Sequence, residues 1–463
     1  MKLSINSIGK GLFILVSMFL LLTVDCIISE SEGASANSEH ASVVNDNHSI
    51  TNNLSESNTF GDLDRSVNRF IRKWDIKGAA VAIAKEGKLV YAKGFGYADV
   101  EHNQEVQPYN LFRVASVSKL ITASAIMKLV EEGRLSLTDT VFGAHAILNQ
   151  PVFLGYVDPR VEKITVKNLL NHSAGWTTRY GDHMFMGEEI ARALNKPMPV
   201  SLEDIVAFAL SKRLHFEPSN HSSYCNIGYG ILQLVIERIT GINYEDYVKS
   251  AIFAPIGITD AFLAFNLDEM RYANEVKYYE VHDANPIKSF NGADTLLLKS
   301  RGGNDIRTLG AAGGWVISPI SLMRFLLSVD GDDQYPDILS KQSVAELVTQ
   351  DKGYHPLGWR WITRDGNYLR TGSFPGTSAL AVVRQDGFSY VFLTNTSSWV
   401  GPRLPYEVER VISRSISKID TWPSTDLFKP ITRRAYHEPM LTRINPILVG
   451  KIPVRTDKIK PLL

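Results

Sequence analysis

The sequence has few cysteines and no net charge, and each absence excludes a class of protein. Two cysteines in 463 residues, Cys26 and Cys225, cannot build the disulfide framework of a small secreted scaffold. A formal net charge of +0 argues against a nucleic-acid partner, which normally requires an excess of basic side chains. The hydrophobic fraction of 44% is ordinary, so a mainly disordered chain is excluded as well. What remains is a globular protein of enzyme size.

The first 36 residues have the pattern of an export signal. Two lysines precede an apolar run, Leu12–Val24, that is too short to span a bilayer comfortably but typical of a signal peptide. Ala34-Ser35-Ala36 offers a small-residue cleavage site. We therefore expect residues 1–36 to be a signal peptide and the protein to be exported, either periplasmic or secreted. Lipid attachment at Cys26 and an uncleaved anchor are the alternatives.

Composition and charge divide the remaining chain into three parts. Residues 37–62 are rich in Ser, Asn and acidic side chains, which is typical of a flexible tether. Residues 63–428 have the apolar patterns of a folded domain. Residues 429–463 form a basic tail with eight basic and two acidic side chains. Such a tail either packs on the domain or contacts an anionic surface.

Strand patterns lie at both ends of the predicted domain, and helical patterns lie between them. Two strand-like runs flank a Glu86-Gly87-Lys88 turn, and two more, at 378–385 and 389–395, flank Asp386-Gly387. Apolar residues recur at helical spacing from Val117 until Gly133. Further helices are expected at 203–211, 227–240 and near 318–328. The order predicts one sheet built from both termini, with a mostly helical insertion.

The most informative motif is Ser116-Val117-Ser118-Lys119, at the start of the first predicted helix. Unpaired N–H groups and the helix dipole favour developing negative charge there. Lys119 lies one turn further on, so its amine can approach the Ser116 hydroxyl and, with a lowered pKa, take its proton. The motif is short: Ser7–Lys10 and Ser415–Lys418 have the same spacing. A helix N-cap is the alternative role for Ser116.

A second motif, Tyr224-Cys225-Asn226, precedes the helix predicted at 227–240. A tyrosine can relay protons during acyl transfer, and an asparagine can orient a lysine amine or a substrate amide. The alternative is a core aromatic residue beside a helix cap. Tyr272-Ala273-Asn274 has the same pattern elsewhere in the chain.

A third motif, Arg370-Thr371-Gly372-Ser373, precedes the strand pair near the C-terminus. A cation on an edge strand, with a glycine that allows close backbone approach, could hold an anionic group of a substrate. The alternative is an exposed arginine that enters a turn.

Taken in this order, the three motifs resemble the serine β-lactamase and penicillin-binding-protein superfamily. The sequence between them resembles the class C β-lactamase-related branch, which includes D-alanyl-D-alanine carboxypeptidases and esterases. The similar stretches lie within roughly residues 65–428, which is most of the mature chain, and the resemblance implies an α+β fold: an antiparallel sheet flanked by helices, with a mostly helical second lobe. The similar stretches are 112–141, 169–176, 224–241, 252–261, 311–326 and 370–380.

The resemblance implies a role for each motif residue. Ser116 would be the nucleophile, Lys119 its activating amine, and Tyr224 a partner in proton transfer. The backbone N–H groups of Ser116 and Ser373 would form the oxyanion hole. The reaction would be acyl transfer through an acyl-enzyme, without cofactor or metal, on a small molecule or peptide whose carboxylate Arg370 would hold. The implied substrate-binding residues are Asn226, Arg370, Thr371, Gly372 and Ser373.

Three residues depart from the family pattern or carry a competing chemistry. Arg370 stands where Lys or His is usual, so an acid–base role at that position is in doubt, because arginine does not release its proton. We interpret Cys225 as a buried thiol rather than a second nucleophile. His172, in Asn171-His-Ser-Ala-Gly, is expected to be structural rather than catalytic.

Other enzyme classes lack their motifs in this chain. There is no Gly-x-Ser-x-Gly motif, no zinc-like spacing of His, Cys and Asp, and no nucleotide-binding glycine pattern. The rival hypothesis is a non-catalytic relative that binds cell-wall peptide or another anionic ligand. Within the enzyme class, the motifs do not choose between β-lactamase, carboxypeptidase and esterase, although the mixed branch favours a peptidase or esterase.

Overall fold

A seven-stranded antiparallel sheet forms the centre of the structure, a computed structural model that describes residues 47–351 and 353–429. The predicted signal peptide, Cys26 and nearly all of the basic tail lie outside these residues. The strands of the described residues are β1 (Gly78–Lys85), β2 (Lys88–Asp99), β3 (Gln104–Glu105), β4 (Phe112–Arg113), β5 (Ala261–Leu263), β6 (Ile287–Lys288), β7 (Leu296–Leu297), β8 (Trp315–Ile317), β9 (Trp361–Ile362), β10 (Tyr368–Phe374), β11 (Thr377–Val383) and β12 (Phe388–Thr394).

The strand order confirms that both ends of the domain build one sheet. The order is β3, β2, β1, β12, β11, β10, β9, so the first long strand pairs with the last one. Glu86 and Gly87, between β1 and β2, have φ of 50° and 72°, as a two-residue hairpin turn requires. Gly387, between β11 and β12, has φ of 83°. Both predicted hairpins are therefore present.

The predicted helices are also found, with ends that differ by a residue or two. Among the described residues no helix has the length and apolar character needed to cross a membrane. The helices are α1 (Gly61–Lys73), α2 (Ser118–Glu131), α3 (Val166–Leu170), α4 (Gly187–Leu194), α5 (Leu202–Leu210), α6 (Ile227–Thr240), α7 (Tyr244–Val248), α8 (Ile306–Gly313), α9 (Pro319–Leu327), α10 (Lys341–Val348) and α11 (Leu404–Ile416).

Helices cover both faces of the sheet. On one face α1 buries Leu63, Val67 and Phe70, one helical turn apart, together with apolar residues of α11. On the other face lies the larger core, which contains α2, α6 and α9. Helix α2 is buried around nearly its whole circumference, including Ser118 and Lys119, and so is a central core helix.

Between β4 and β8 the chain forms the predicted, mostly helical second lobe. Helices α3 to α8 belong to this insertion, and β4, β8 and β5 pair into a small three-stranded sheet beside it. The α+β class, with an antiparallel sheet flanked by helices, is thus confirmed. The insertion returns to the sheet after carrying the Tyr224 motif to the start of α6.

Residues 47–60, predicted as part of a flexible tether, are folded onto the sheet. Ser55 Oγ donates to the carbonyl of Ala92 and accepts from its N–H, both at 2.9 Å. Asn52 Oδ1 accepts from the N–H of Gly94 at 2.7 Å, and Asn52 Nδ2 donates to the carbonyl of Val106 at 2.9 Å. The boundary predicted at residue 63 therefore lies too late in the chain. The physical reason is that these polar side chains pair with strand backbone.

We expect Asn52→Ala to lower the free energy of unfolding by about 1–3 kcal/mol, because it leaves backbone groups of Gly94 and Val106 without their partners. Chemical denaturation of the full chain measures this change. Asn53→Ala is the matched control, since Asn53 is exposed. A change no larger for Asn52→Ala than for Asn53→Ala would mean that the Asn52 hydrogen bonds add nothing to stability.

Candidate active site

The side chains of the first two motifs meet in one hydrogen-bonded cluster. Ser116 Oγ lies 2.7 Å from the Tyr224 hydroxyl and 3.3 Å from Lys119 Nζ. Lys119 Nζ donates to Asn226 Oδ1 at 2.7 Å. The structure thus brings together a hydroxyl, an amine, a phenol and an amide from two distant parts of the chain.

Ser116 lies in a short 3-10 turn, Ala115–Val117, immediately before α2. Ala115 has φ of 45°, in the left-handed region, which costs a residue with a Cβ about 1–2 kcal/mol. No side chain caps α2, so the N-cap role considered for Ser116 is wrong. The strained turn instead directs the Ser116 hydroxyl to Tyr224, and the serine remains partly open to solvent.

Lys119 is fully buried, and its amine contacts three acceptors. Besides Ser116 and Asn226, it donates to the carbonyl of Ala312, near the C-terminal end of α8. Burial is the largest influence and lowers the pKa of Lys119; Tyr224 opposes this shift, and the charge of Arg370 adds to it. The amine therefore gives up its proton more readily than an exposed lysine does.

Three cations surround the ring of Tyr224. Lys119 Nζ lies 5.1 Å from the ring centroid, and the guanidinium carbons of Arg360 and Arg370 lie at 5.2 and 5.9 Å. Removal from water alone would raise the pKa of Tyr224, but the charges of Lys119 and Arg370 and hydrogen bonds from Lys119 and Ser116 lower it from its usual value. This environment makes the phenol proton easier to remove, so Tyr224 is better suited than an ordinary tyrosine to accept the Ser116 proton.

Asp182 is a member of the site that the sequence analysis missed. Its Oδ2 accepts from Asn226 Nδ2 at 2.6 Å, which leaves Asn226 Oδ1 directed at Lys119. Because the amide is held at both ends, its orientation is determined by the two charged partners. Asp182 lies 44 residues before Asn226, and no local spacing links the two.

Strand β10 presents an open backbone edge beside this cluster. The carbonyl of Leu369 accepts from the N–H of Arg360 on the side away from β11, and β9 pairs with β10 only at Tyr368 and Leu369. Because alternate residues of an antiparallel strand direct their N–H and C=O groups to the same side, Thr371 and Ser373 have theirs at this open edge. The N–H of Ser373 is therefore available to a ligand.

The same alternation assigns the side chains of β10 to two faces of the sheet. Leu369 belongs to the core beneath α1 and α11, and so Thr371 and Ser373 have their side chains on that face. Thr371 and Ser373 therefore contribute backbone groups, rather than side chains, to the site. Gly372 faces α2: a Cβ there would lie 2.2 Å from the Val114 carbonyl and 3.1 Å from the Ser116 N–H nitrogen. Only glycine allows this approach.

Arg370 is not the substrate-facing cation that the sequence predicted. It is fully buried, with Nε donating to the Ser116 carbonyl at 2.6 Å and Nη1 to the Trp359 carbonyl at 3.3 Å. The alternative of an exposed arginine in a turn is equally wrong. The physical reason is that strand alternation directs residue 370 towards α2. Arg370 positions the backbone of Ser116 and places a positive charge beside Tyr224.

A second layer of hydrogen bonds lies behind Tyr224. Arg360 Nη1 donates to His355 Nε2 at 2.7 Å, so His355 must carry its hydrogen on Nδ1 and donate it to Ser222 Oγ at 2.6 Å. Ser222 in turn donates to the Asn171 carbonyl at 2.6 Å. Burial, with the charge of Arg360, lowers the pKa of His355 to about 4. A protonated Nδ1 cannot activate Ser222, so this pair is not a second nucleophilic site.

His172 and Cys225 hold the loop that carries Tyr224. The N–H of Cys225 donates to His172 Nδ1 at 3.4 Å, and the His172 ring lies 4.6 Å from the ring of Tyr224. Burial lowers the pKa of His172 well below its usual value, so the ring is neutral. Burial also raises the pKa of Cys225 to about 12, which makes the thiol inert. These environments fit the structural roles expected for both residues.

A family model described as Beta-lactamase matches residues 63–410. Solved structures with a similar fold include an octameric penicillin-binding protein homologue from Pyrococcus abyssi, with a TM-score of 0.57 and 25% identity over 76% of this chain and 77% of that one. D-amino acid amidase from Ochrobactrum anthropi SV3, complexed with L-phenylalanine amide, has a TM-score of 0.60 and 20% identity over 78% of this chain and 98% of that one. At that identity the amidase shows the fold alone.

Similar sequences include protein flp of Staphylococcus aureus strain COL, 30% identical over 197 residues, or 42% of this chain and 37% of that protein. A putative penicillin-binding protein, PbpX of Bacillus subtilis strain 168, is 26% identical over 264 residues, or 56% of this chain and 61% of that one. The chain therefore spans less than two thirds of the length of the curated relatives that it matches.

The contact between β10 and the Ser116 turn makes Gly372→Ala a sharp test of the site. The added Cβ has to separate β10 from the turn, and a displacement of about 1 Å at a reacting group costs about 100-fold in rate. We expect labelling of Ser116 by a fluorophosphonate to slow by about that factor. Gly155→Ala is the matched control, since a Cβ there meets nothing within 4 Å. Equal labelling rates would remove β10 from the site.

Proposed function

The chain belongs to the Beta-lactamase family, and on that premise we propose that it is a serine hydrolase that transfers an acyl group through a covalent ester on Ser116. The observation that carries the proposal is the position of Ser116 Oγ, 2.7 Å from the Tyr224 hydroxyl and 3.3 Å from Lys119 Nζ. A serine hydroxyl is a weak nucleophile until a neighbouring base takes its proton. Of the two neighbours, Tyr224 is the base in this proposal, and its pKa is lowered in the direction that this role requires.

In the first step the Ser116 hydroxyl passes its proton to the Tyr224 phenolate as Oγ bonds to the substrate carbonyl carbon. Lys119, as an ammonium, stabilises the phenolate before the transfer and the developing negative charge during it. The fixed charge of Arg370 acts in the same sense on Tyr224. The charges of Lys119 and Arg370 thus lower the free energy of the deprotonated phenol, which is the base.

The carbonyl oxygen becomes an oxyanion in this step, and we assign two backbone N–H groups to its stabilisation. One belongs to Ser116 and the other to Ser373 at the open edge of β10. Such donors stabilise the tetrahedral intermediate because they are already oriented before charge develops. The intermediate collapses when the bond to the leaving nitrogen or oxygen breaks and that atom takes the proton from Tyr224.

Hydrolysis of the acyl-enzyme reverses the proton path. A water molecule gives one proton to Tyr224 and attacks the ester carbon, and the bond from carbon to Ser116 Oγ then breaks. Oγ takes the proton back from Tyr224, and the product is a carboxylic acid. Asn226, held by Asp182, keeps the Lys119 amine in place throughout and presents its amide to the substrate.

The substrate class that we propose is an amide or carboxylic ester, including a D-Ala-D-Ala-type peptide or a β-lactam. The D-amino acid amidase shares the fold alone, so amides stand beside esters as substrates to be tested. The rival hypothesis, a non-catalytic binding protein, depended on the arginine at position 370. Arg370 contacts the carbonyl of Ser116 and charges the environment of Tyr224, and this placement favours catalysis.

We also propose that the protein is exported. The support is the apolar run Leu12–Val24, preceded by lysines and followed by a small-residue cleavage site. The proposal agrees with cell-wall peptides as candidate substrates. Cys26 and this apolar run lie outside the described residues, so cleavage, lipid attachment at Cys26 and an uncleaved anchor all stay predictions.

Ser116→Ala should abolish turnover of every substrate, because it removes the nucleophile. We expect a loss of at least about 1000-fold against nitrocefin, a D-Ala-D-Ala peptide and p-nitrophenyl acetate, whichever the protein turns over. Mass spectrometry should locate the adduct of a fluorescent penicillin or fluorophosphonate on Ser116. Ser415→Ala is the matched control, since Ser415 has the same spacing to a lysine but bonds within α11. Turnover that survives Ser116→Ala would refute the mechanism.

Arg370→Lys tests whether this cation holds a substrate or positions the nucleophile. Because Arg370 is buried against Ser116, we expect kcat to fall by about 100-fold equally for a carboxylate-bearing peptide and a neutral ester. Steady-state kinetics on both substrates measure this, with the exposed Arg364→Lys as the control. A loss confined to the carboxylate-bearing peptide would restore the anion-binding role predicted from the sequence.

A further inference from the structure

A cavity of about 310 Å³ lies in the helical second lobe. One wall comes from the segment that follows Asp182, and the opposite wall comes from the 287–308 segment that leads into α8. The lining is mainly apolar; its largest members are Met184, Phe185, Met198, Val200, Ile287 and Phe290. Pockets of this size and character bind small molecules.

Each wall is tied to a residue of the catalytic cluster. Met184 follows Asp182 by two positions, and the carboxylate of Asp182 holds Asn226. On the other side, the lining reaches Thr308 in α8, the helix whose Ala312 carbonyl accepts from Lys119. Each wall is thus linked along the chain to a group that holds the cluster, through Asp182 on one side and through α8 on the other.

Phe185 marks the boundary between the cavity and β10. Its ring lies 5.8 Å from that of Phe374, the residue after Ser373, whose N–H we assign to the oxyanion hole. The Phe185 side chain is 44% exposed, which is unusual for so large an apolar group. An apolar side chain at the mouth of an apolar cavity is the arrangement expected where a ligand enters.

The charged residues of the lining are engaged elsewhere. Asp305 accepts from the N–H of Thr308 at 3.0 Å and from Asn266 at 3.0 Å, as the N-cap of α8. Lys288 pairs with Asp294 at 3.1 Å, and Glu188 with Arg192 at 3.3 Å. Because these charged groups are paired with other residues, the lining that remains for a ligand is mainly apolar.

We propose that this cavity binds an apolar group of the substrate, a phenyl ring or an alkyl chain of about four to eight carbons. This inference rests on the proposed function and narrows its substrate class to amides and esters with such a group. Met184 and Met198 suit the role because their unbranched side chains adapt to ligands of different shape. The cavity selects the substrate, and the Ser116 cluster performs the reaction.

The first test is a series of p-nitrophenyl esters from acetate to dodecanoate, with kcat/KM measured for each. We expect kcat/KM to rise by about tenfold or more from acetate to hexanoate, because each buried methylene adds affinity, and to fall for dodecanoate, which exceeds the cavity. Ile287→Trp fills the cavity, so the ratio of hexanoate to acetate should fall to about one. Leu296→Trp, on the paired strand β7 and 65% exposed, should retain the ratio.

The second test uses binding without chemistry, so that the cavity and the catalytic proposal can fail separately. The Ser116→Ala variant should bind hexanamide at least about tenfold more tightly than acetamide in a calorimetric or ligand-observed NMR titration. Adding Ile287→Trp to this variant should remove the difference between the two amides. If hexanamide binds more tightly than acetamide but the unmodified chain hydrolyses no ester, the hydrolase proposal is refuted and the proposal for the cavity stands. Turnover with a flat chain-length profile and equal binding of the two amides would refute the cavity.

Discussion

The enclosure of one lysine amine is the constraint on which the site depends. Lys119 has no exposed surface, and a buried amine is stable only when acceptors surround it. Its three acceptors come from the turn before α2, the start of α6 and the end of α8. The second lobe must therefore pack against the sheet in one arrangement to complete the set. Folding and catalysis are coupled through this amine.

The charges around Tyr224 show how a nearly neutral protein concentrates positive charge. Lys119, Arg360 and Arg370 surround one aromatic ring, although the whole sequence has a net charge of +0. All three are held by specific acceptors: Lys119 by the three groups named above, Arg370 by backbone carbonyls, and Arg360 by His355. Since these contacts hold both arginine side chains in place, the local potential is a fixed property of the fold.

Local patterns predicted most of the fold but only part of the site. The hairpins and long helices follow from turn residues and apolar spacing, and Ser116 and Lys119 lie one helical turn apart. Asp182, His355 and Arg360 act through contacts between distant segments, which no spacing encodes. For Arg370 the charge was recognised but its direction was not, because direction depends on which face of β10 meets α2. The domain start was misplaced because polar side chains there bind strand backbone.

The segment at residues 47–60 has a further consequence, for solubility. Without Asn52 and Ser55, the N–H groups of Ala92 and Gly94 on the outer side of β2 would be unpaired. An unpaired strand edge is a template for pairing with another copy of the same chain. A chain shortened to begin at residue 63 would keep its catalytic residues and yet be prone to self-association through β2. The segment at residues 47–60 thus protects the edge of β2 from aggregation.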